Sequence, residues 1–276
     1  MNWQGRRESS NVEDRRGMGG KTMIGGGIGS IIIVLLFTLL GGNPGDIMNN
    51  MTTNTGTDTS APYQETAEEK EQADFVSVVL ADTEDVWSEE FKKRGLTYEN
   101  PKLVLYTGNV QSACGSQSAA VGPFYCPGDH KLYIDLSFYQ ELKNNFQAPG
   151  DFAMAYVIAH EVGHHVQTLL NSGDHVSAAE KRTNEYSVRY ELQADYLAGV
   201  WAHYAQGKGY LENGDLDEAL NAANAVGDDN IQKKAQGYVV PESFTHGTSA
   251  QRKRWFNKGF NNGTIEGGDT FNAPNL

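Results

Sequence analysis

Two histidines and a glutamate stand in the order His160-Glu161-Val162-Gly163-His164. On a helix, residues four apart share a face, so both imidazoles can reach one metal ion. Glu161 falls about 100° round from His160 and about 60° from His164, near enough to take a proton from a water that the metal activates. The chemistry such a set supports is metal-assisted hydrolysis. Two ordinary histidines in a core helix are the plainer reading. Buried polar groups need partners, however, and one metal satisfies both rings.

A catalytic zinc takes three protein ligands and keeps one position open. The extended pattern HExxHxxGxxH fails here, because Gln167 occupies its glycine position and Leu170 its third histidine. Among the acidic residues and histidines further on, Glu191-Leu-Gln-Ala-Asp195 is the best candidate, with two carboxylates one turn apart on one helix face. Ala198, Gly199 and Ala202 flank that face and permit another helix to come close. Gly163 costs its helix about 1 kcal/mol relative to alanine, which close packing of the two helices would explain. In that geometry Glu191 completes the site, and Asp195 could hold the outer nitrogen of a ligand histidine. A solvated helix face is the alternative. His165, His175 and His203 take packing or loop roles. His246 precedes a helix start, from which a loop could bring it to donate to an oxyanion.

These groups need elements to position them. Asp151 to Leu170 carries an apolar strip and a largely apolar remainder, so this helix is expected to be buried, with Asp151 as its N-cap. Before it, Phe75 to Arg94 reads as an amphipathic helix stopped by Gly95. Leu103–Tyr106 and Lys131–Asp135 read as strands, and 113–121 as a loop. After it, a long helix spans about Ser177 to Gln206, and a shorter one contains Leu216 to Ala223. Thr248-Ser-Ala-Gln251 fits a capping box that opens a last helix.

The chain has 276 residues and a net charge of -13. That length allows one or two domains with a real core. The acidity argues against a nucleic-acid partner. Residues 22–40 carry no charge and reach roughly 28 Å as a helix, enough for a bilayer core of about 30 Å. No signal-cleavage site is evident, so this run is expected to be an uncleaved membrane anchor. Arg6, Arg7, Arg15, Arg16 and Lys21 precede it, which places residues 1–21 in the cytoplasm and all that follows the anchor outside. Residues 41–70 are polar and read as a flexible tether. The folded domain is expected at 71–262 and a Gly- and Asn-rich tail at 263–276. Outside the cytoplasm, Cys114 and Cys126 would be joined, two free buried thiols being the alternative.

Four segments, HEVGHHVQ (160–167), ELQADYLAGVWA (191–202), GPFYCPGDHKLYID (122–135) and HGTSAQRKRWF (246–256), together resemble the membrane-anchored bacterial neutral zinc metallopeptidases. The likeness spans roughly Phe75 to Asn262 and is similar more broadly to gluzincins, whose third ligand is the Glu of an ExxxD segment. The resemblance implies a Zn2+ cofactor held by His160, His164 and Glu191, with Glu161 as general base and Asp195 behind the ligands. The expected fold is then an α+β, zincin-like domain with a small antiparallel sheet. Its substrate is a peptide or protein, which the strand at Tyr133–Asp135 is expected to meet as the sheet edge. A zinc-containing, membrane-tethered binding or assembly protein without proteolysis is the alternative.

Overall fold

The computed structural model describes residues 1–17 and 63–276. The uncharged run 22–40 and residues 41–62 of the expected tether lie outside the described residues. Among the described residues no helix is long and apolar enough to cross a membrane.

Helix α1 (Ala67–Lys93) opens with a capping box. Thr66 accepts the Glu69 amide, and the Glu69 carboxylate accepts the Thr66 amide. The helix therefore begins four residues before Glu71, the expected start of the folded part. Strands β2 (Lys102–Tyr106) and β6 (Lys131–Asp135) follow, each buried over four consecutive residues. Such runs belong to strands covered on both faces. Residues 113–121, expected as loop, instead contribute to a hairpin of β3 (Asn109–Ser112) and β4 (Gly115–Ser118). A Cys114–Cys126 disulfide ties its turn to β5 (Phe124–Cys126).

The main sheet has the order β1 (Val12–Asp14), β2, β6, β5 and is mixed. The antiparallel pairing expected is present at β5–β6 and β3–β4, while β1–β2 and β2–β6 run parallel. Strand β6 pairs with β2 along its length and with β5 only at Lys131–Tyr133, so of the edge expected at Tyr133–Asp135, Tyr133 is covered while Ile134 and Asp135 have no β5 partner. Strand β1 (Val12–Asp14) comes from the segment assigned to the cytoplasm. Residues 1–17 are thus part of the folded body.

Helix α2 (Phe138–Asn144) precedes α3 (Asp151–Leu169), the HExxH helix, which is buried from Phe152 to Gln167. Its cap position is Gly150, at φ 117°, and Asp151 is the first helical residue. The Asp151 carboxylate instead accepts the Met1 amine at 3.0 Å, and Glu218 accepts the Phe152 amide. Helix α4 (Asn184–Gly207), capped by Thr183, starts seven residues later than read from sequence. Helices α5 (Asp215–Ala225), α6 (Asp228–Gln236) and α7 (Ser249–Asn262) complete the body. Helix α3 packs on α1, α4 and α5, and α4 packs on α7. The expected tail is held too: Tyr196 donates to the Thr264 carbonyl and Arg189 to that of Thr270.

Candidate functional site

Helix α3 presents His160 and His164 one turn apart, and α4 crosses it with Glu191 facing them. The crossing is close at Gly163, where a Cβ would stand 2.9 Å from the Ala194 carbonyl oxygen and 3.2 Å from its Cα. Gly199 faces α7 instead, against the Phe256 carbonyl, so it does not serve the α3–α4 contact. His160 Nε2 lies 3.1 Å from Glu191 Oε2, and His164 Nε2 lies 3.6 Å from Glu191 Oε1. The three donor atoms lie within 4.8 Å of one another. Two imidazoles and a carboxylate suit zinc and leave a position for substrate.

The outer nitrogens of both rings are committed, which fixes Nε2 as the free atom of each. His160 Nδ1–H donates to Asp195 Oδ1 at 2.9 Å. His164 Nδ1–H donates to Gln167 Oε1 at 2.8 Å, and Gln167 Nε2 donates onward to the Tyr190 carbonyl and Gln193 Oε1. Asp195 also accepts from Tyr156 Oη at 2.5 Å and from Arg252 Nε and Nη2 at 2.8 and 3.0 Å. Gln167, Tyr156 and Arg252 were not anticipated. Gln167 was readable, since it lies three residues from His164 and hence on its face.

The electrostatics follow from burial of like and unlike charges together. Burial works against a charged His160, yet Asp195 and Glu191 outweigh it and push the ring up to about 10. Burial likewise opposes ionised Glu191 and Asp195. His164 and His160 nonetheless hold Glu191 well below its ordinary value, and Arg252 with His160 holds Asp195 at about 2. Glu161 goes the other way: burial and then the Glu191 charge raise it against the two histidines. A buried carboxyl raised above its solution value is a better base.

His246 sits in the loop before α7 and is half-buried. Its Nδ1 lies 3.2 Å from Asp228 Oδ1, and Asp228 Oδ2 accepts the backbone amides of Thr245, His246 and Gly247. A Cβ on the adjoining Gly247 would touch Val188 and Leu192 of α4, so the loop rests on the turn that carries Glu191. Burial opposes its charge, but Asp228 and then Glu191 raise its pKa. Asp228 went unnoticed in the sequence because its partner is 18 residues away in another element.

The other histidines do not join the site. Burial, helped by neighbouring His130, lowers the His165 ring to about 4, against its Nε2–H bond to the Glu99 carbonyl at 2.6 Å, and its Nδ1 accepts from Tyr125. His203 donates to the Phe260 carbonyl. A second acidic group, Asp151, Asp215 and Glu218, is already served by the Met1 amine and the Phe152 amide.

A family model described as "Putative neutral zinc metallopeptidase" matches residues 1–271. The chain is 49% identical over 283 residues to the "Uncharacterized protein YpfJ" of Escherichia coli (strain K12), covering 98% of this chain and 99% of that protein. It is 40% identical over 252 residues to the "Uncharacterized protein Rv2575" of Mycobacterium tuberculosis (strain ATCC 25618 / H37Rv), covering 86% of each. No solved structure matches the chain significantly.

Proposed function

The chain belongs to the neutral zinc metallopeptidase family, and from that premise we propose that it hydrolyses peptide bonds at the His160–His164–Glu191 centre. The observation that carries this reading is the set itself: three convergent donors with a buried carboxyl, Glu161, on the same helix beside them. A purely structural zinc is closed by four protein ligands and needs no base.

Membership implies a Zn2+ cofactor, which supplies Lewis acidity toward the attacking water and the scissile carbonyl. The chain's own groups do the rest. His160 and His164 offer Nε2, and Glu191 offers its carboxylate. Glu161 accepts the proton of the attacking water and returns it to the leaving amide nitrogen. His246, held by Asp228, donates to the oxygen on which negative charge develops. Strand β5 has a free outer edge among the described residues, where an extended peptide can add as a strand. A cavity of about 460 Å³, lined by Val188, Phe244 and Thr248 among others, adjoins the His246 loop and has room for a substrate side chain. Membrane association through the uncharged run 22–40 and a place for the domain outside the cytoplasm rest on that run and on the disulfide.

The test is a broad peptide-library digest with and without chelator, run on wild type and Glu161→Gln. We expect chelator-sensitive cleavage by wild type and none by the variant, with zinc bound equally by both. Equal cleavage by the variant refutes the assignment. One zinc per chain with no cleavage of any library favours the non-proteolytic tethered protein.

A further inference from the structure

We infer that Arg252 is the positioning residue of the metal centre, holding Asp195 in the one orientation that aims His160 Nε2 at the ion. The inference rests on the metal-site reading above. Arg252 is 4% exposed and grips both Asp195 oxygens with a two-bond fork. Its Nη1 donates to the Val226 carbonyl, and its Nη2 lies 3.4 Å from His160 Nδ1. With Tyr156 and His160 also donating to Oδ1, four donors converge on Asp195 and its carboxylate has no freedom to rotate. A lysine has one point charge and cannot reproduce the fork.

The guanidinium itself is placed by packing. Helix α7 meets α4 backbone to backbone, since a Cβ on Gly259 would run into the Tyr196 carbonyl as one on Gly199 would into that of Phe256. The Thr248–Gln251 capping box fixes the first turn of α7, where Arg252 lies. The charges also close. Glu161 and Asp195 are buried and Glu191 partly exposed, three carboxylates near the one buried guanidinium of Arg252. Ionised, they leave two negative charges, which a divalent cation cancels. Without Arg252 the loaded site keeps an uncompensated buried charge.

The experiment is a zinc titration against a competing chelator for full-length wild type, Arg252→Met, Arg252→Lys, Asp195→Asn and the double variant Asp195→Asn/Arg252→Met. Melting of each metal-free protein reports its folding. We expect one zinc per wild-type chain and roughly 10- to 100-fold weaker binding by Arg252→Met, as for other outer partners of metal ligands. Arg252→Lys should also weaken binding, and the double variant should bind no more weakly than Asp195→Asn alone. Folded Arg252→Lys and Arg252→Met that both bind zinc like wild type overturn the inference. Should Arg252→Met not fold, Arg252→Lys decides. Absence of zinc binding by wild type overturns the metal reading itself.

A different observation concerns topology: the structure assigns residues 1–17 to the same side of any membrane as the domain. Strand β1 pairs with β2 from Val12–Leu103 to Asp14–Leu105, and the ladder is extended by Leu103 N donating to Asn11 and Arg15 N to Leu105. Glu13 bridges to Lys131 at 3.0 Å. Arg16 pairs with Glu65 at 2.7 Å, and Gly17 abuts Tyr63, so the chain departs and is received at one place. None of these contacts can form across a hydrocarbon core of about 30 Å. Arg6 pairs with Asp82, Arg7 with Glu84 and Asp85, Arg15 with Glu13 and Arg16 with Asp14 and Glu65. Basic residues engaged in this way serve the fold, so their position before the uncharged run does not by itself set the side on which residues 1–17 lie. Both native cysteines are in the disulfide, so single probes can be placed at the exposed residues Glu8 and Lys181. Full-length Glu8→Cys and Lys181→Cys are treated with a membrane-impermeant maleimide in intact and in lysed cells. Equal labelling of the two in intact cells is expected; labelling of one with protection of the other overturns the assignment.

Discussion

Gly163→Ala measures how closely the two ligand-bearing helices must approach. Alanine improves an α-helix by about 1 kcal/mol over glycine. Here the new Cβ meets backbone, 2.9 Å from the Ala194 oxygen and 3.2 Å from its Cα, with no flexible side chain to swing away. Overpacking of this kind costs about 1–3 kcal/mol. The two effects leave a net loss of about 0–2 kcal/mol, a melting drop of at most about 8 °C for a domain this size. The larger effect falls on the metal. To relieve the contact α4 must move by a few tenths of an ångström, and Ala194 adjoins Asp195 and lies one turn from Glu191. Zinc affinity should therefore fall about tenfold while the metal-free protein stays folded. Melting of the metal-free form and chelator competition separate the two. Gly199→Ala is the control, since its Cβ would press harder on the Phe256 carbonyl and should lower stability by more than about 3 kcal/mol. A Gly163→Ala protein that is more stable than wild type and binds zinc unchanged refutes the reasoning.

Other outcomes follow from the same geometry. His246→Ala should lower kcat by about 10²–10³-fold, as loss of an oxyanion donor does, with zinc affinity unchanged. Because Asp228 raises the His246 pKa, the donor form persists at low pH and is lost as pH rises; Asp228→Asn should move the alkaline loss of kcat to lower pH. Glu13 is held at about 2 against burial by Arg15 and Lys131. Its contribution to stability is complete above pH 4.5 and is lost as pH falls toward 2. Glu13→Gln should therefore show a shallower fall in chemical stability across that window, and an unchanged slope would count against β1 docking through Glu13. Reduction of Cys114–Cys126 should cost about 2–4 kcal/mol in denaturant unfolding, with cleavage retained if the site is otherwise intact.

The sequence by itself determined what short-range periodicity controls. It placed His160, Glu161 and His164 on one buried helix, because four-residue spacing and an apolar surround are local facts. The capping box at Thr248–Gln251 was legible for the same reason. Only the tertiary structure decided what depends on elements far apart in the chain. It brought Glu191 within 3.1 Å of His160 across a contact that glycine permits. It set Arg252, 57 residues from Asp195, into the fork that immobilises that carboxylate, and Asp228 under the His246 loop. It put β5 at one sheet edge and recruited residues 12–14 as the strand at the other, since pairing order depends on long-range hydrogen bonds that no local pattern encodes. The N-terminal arginines show the difference most clearly. In sequence they are positive charges before an apolar run, and in the fold they are partners of particular carboxylates.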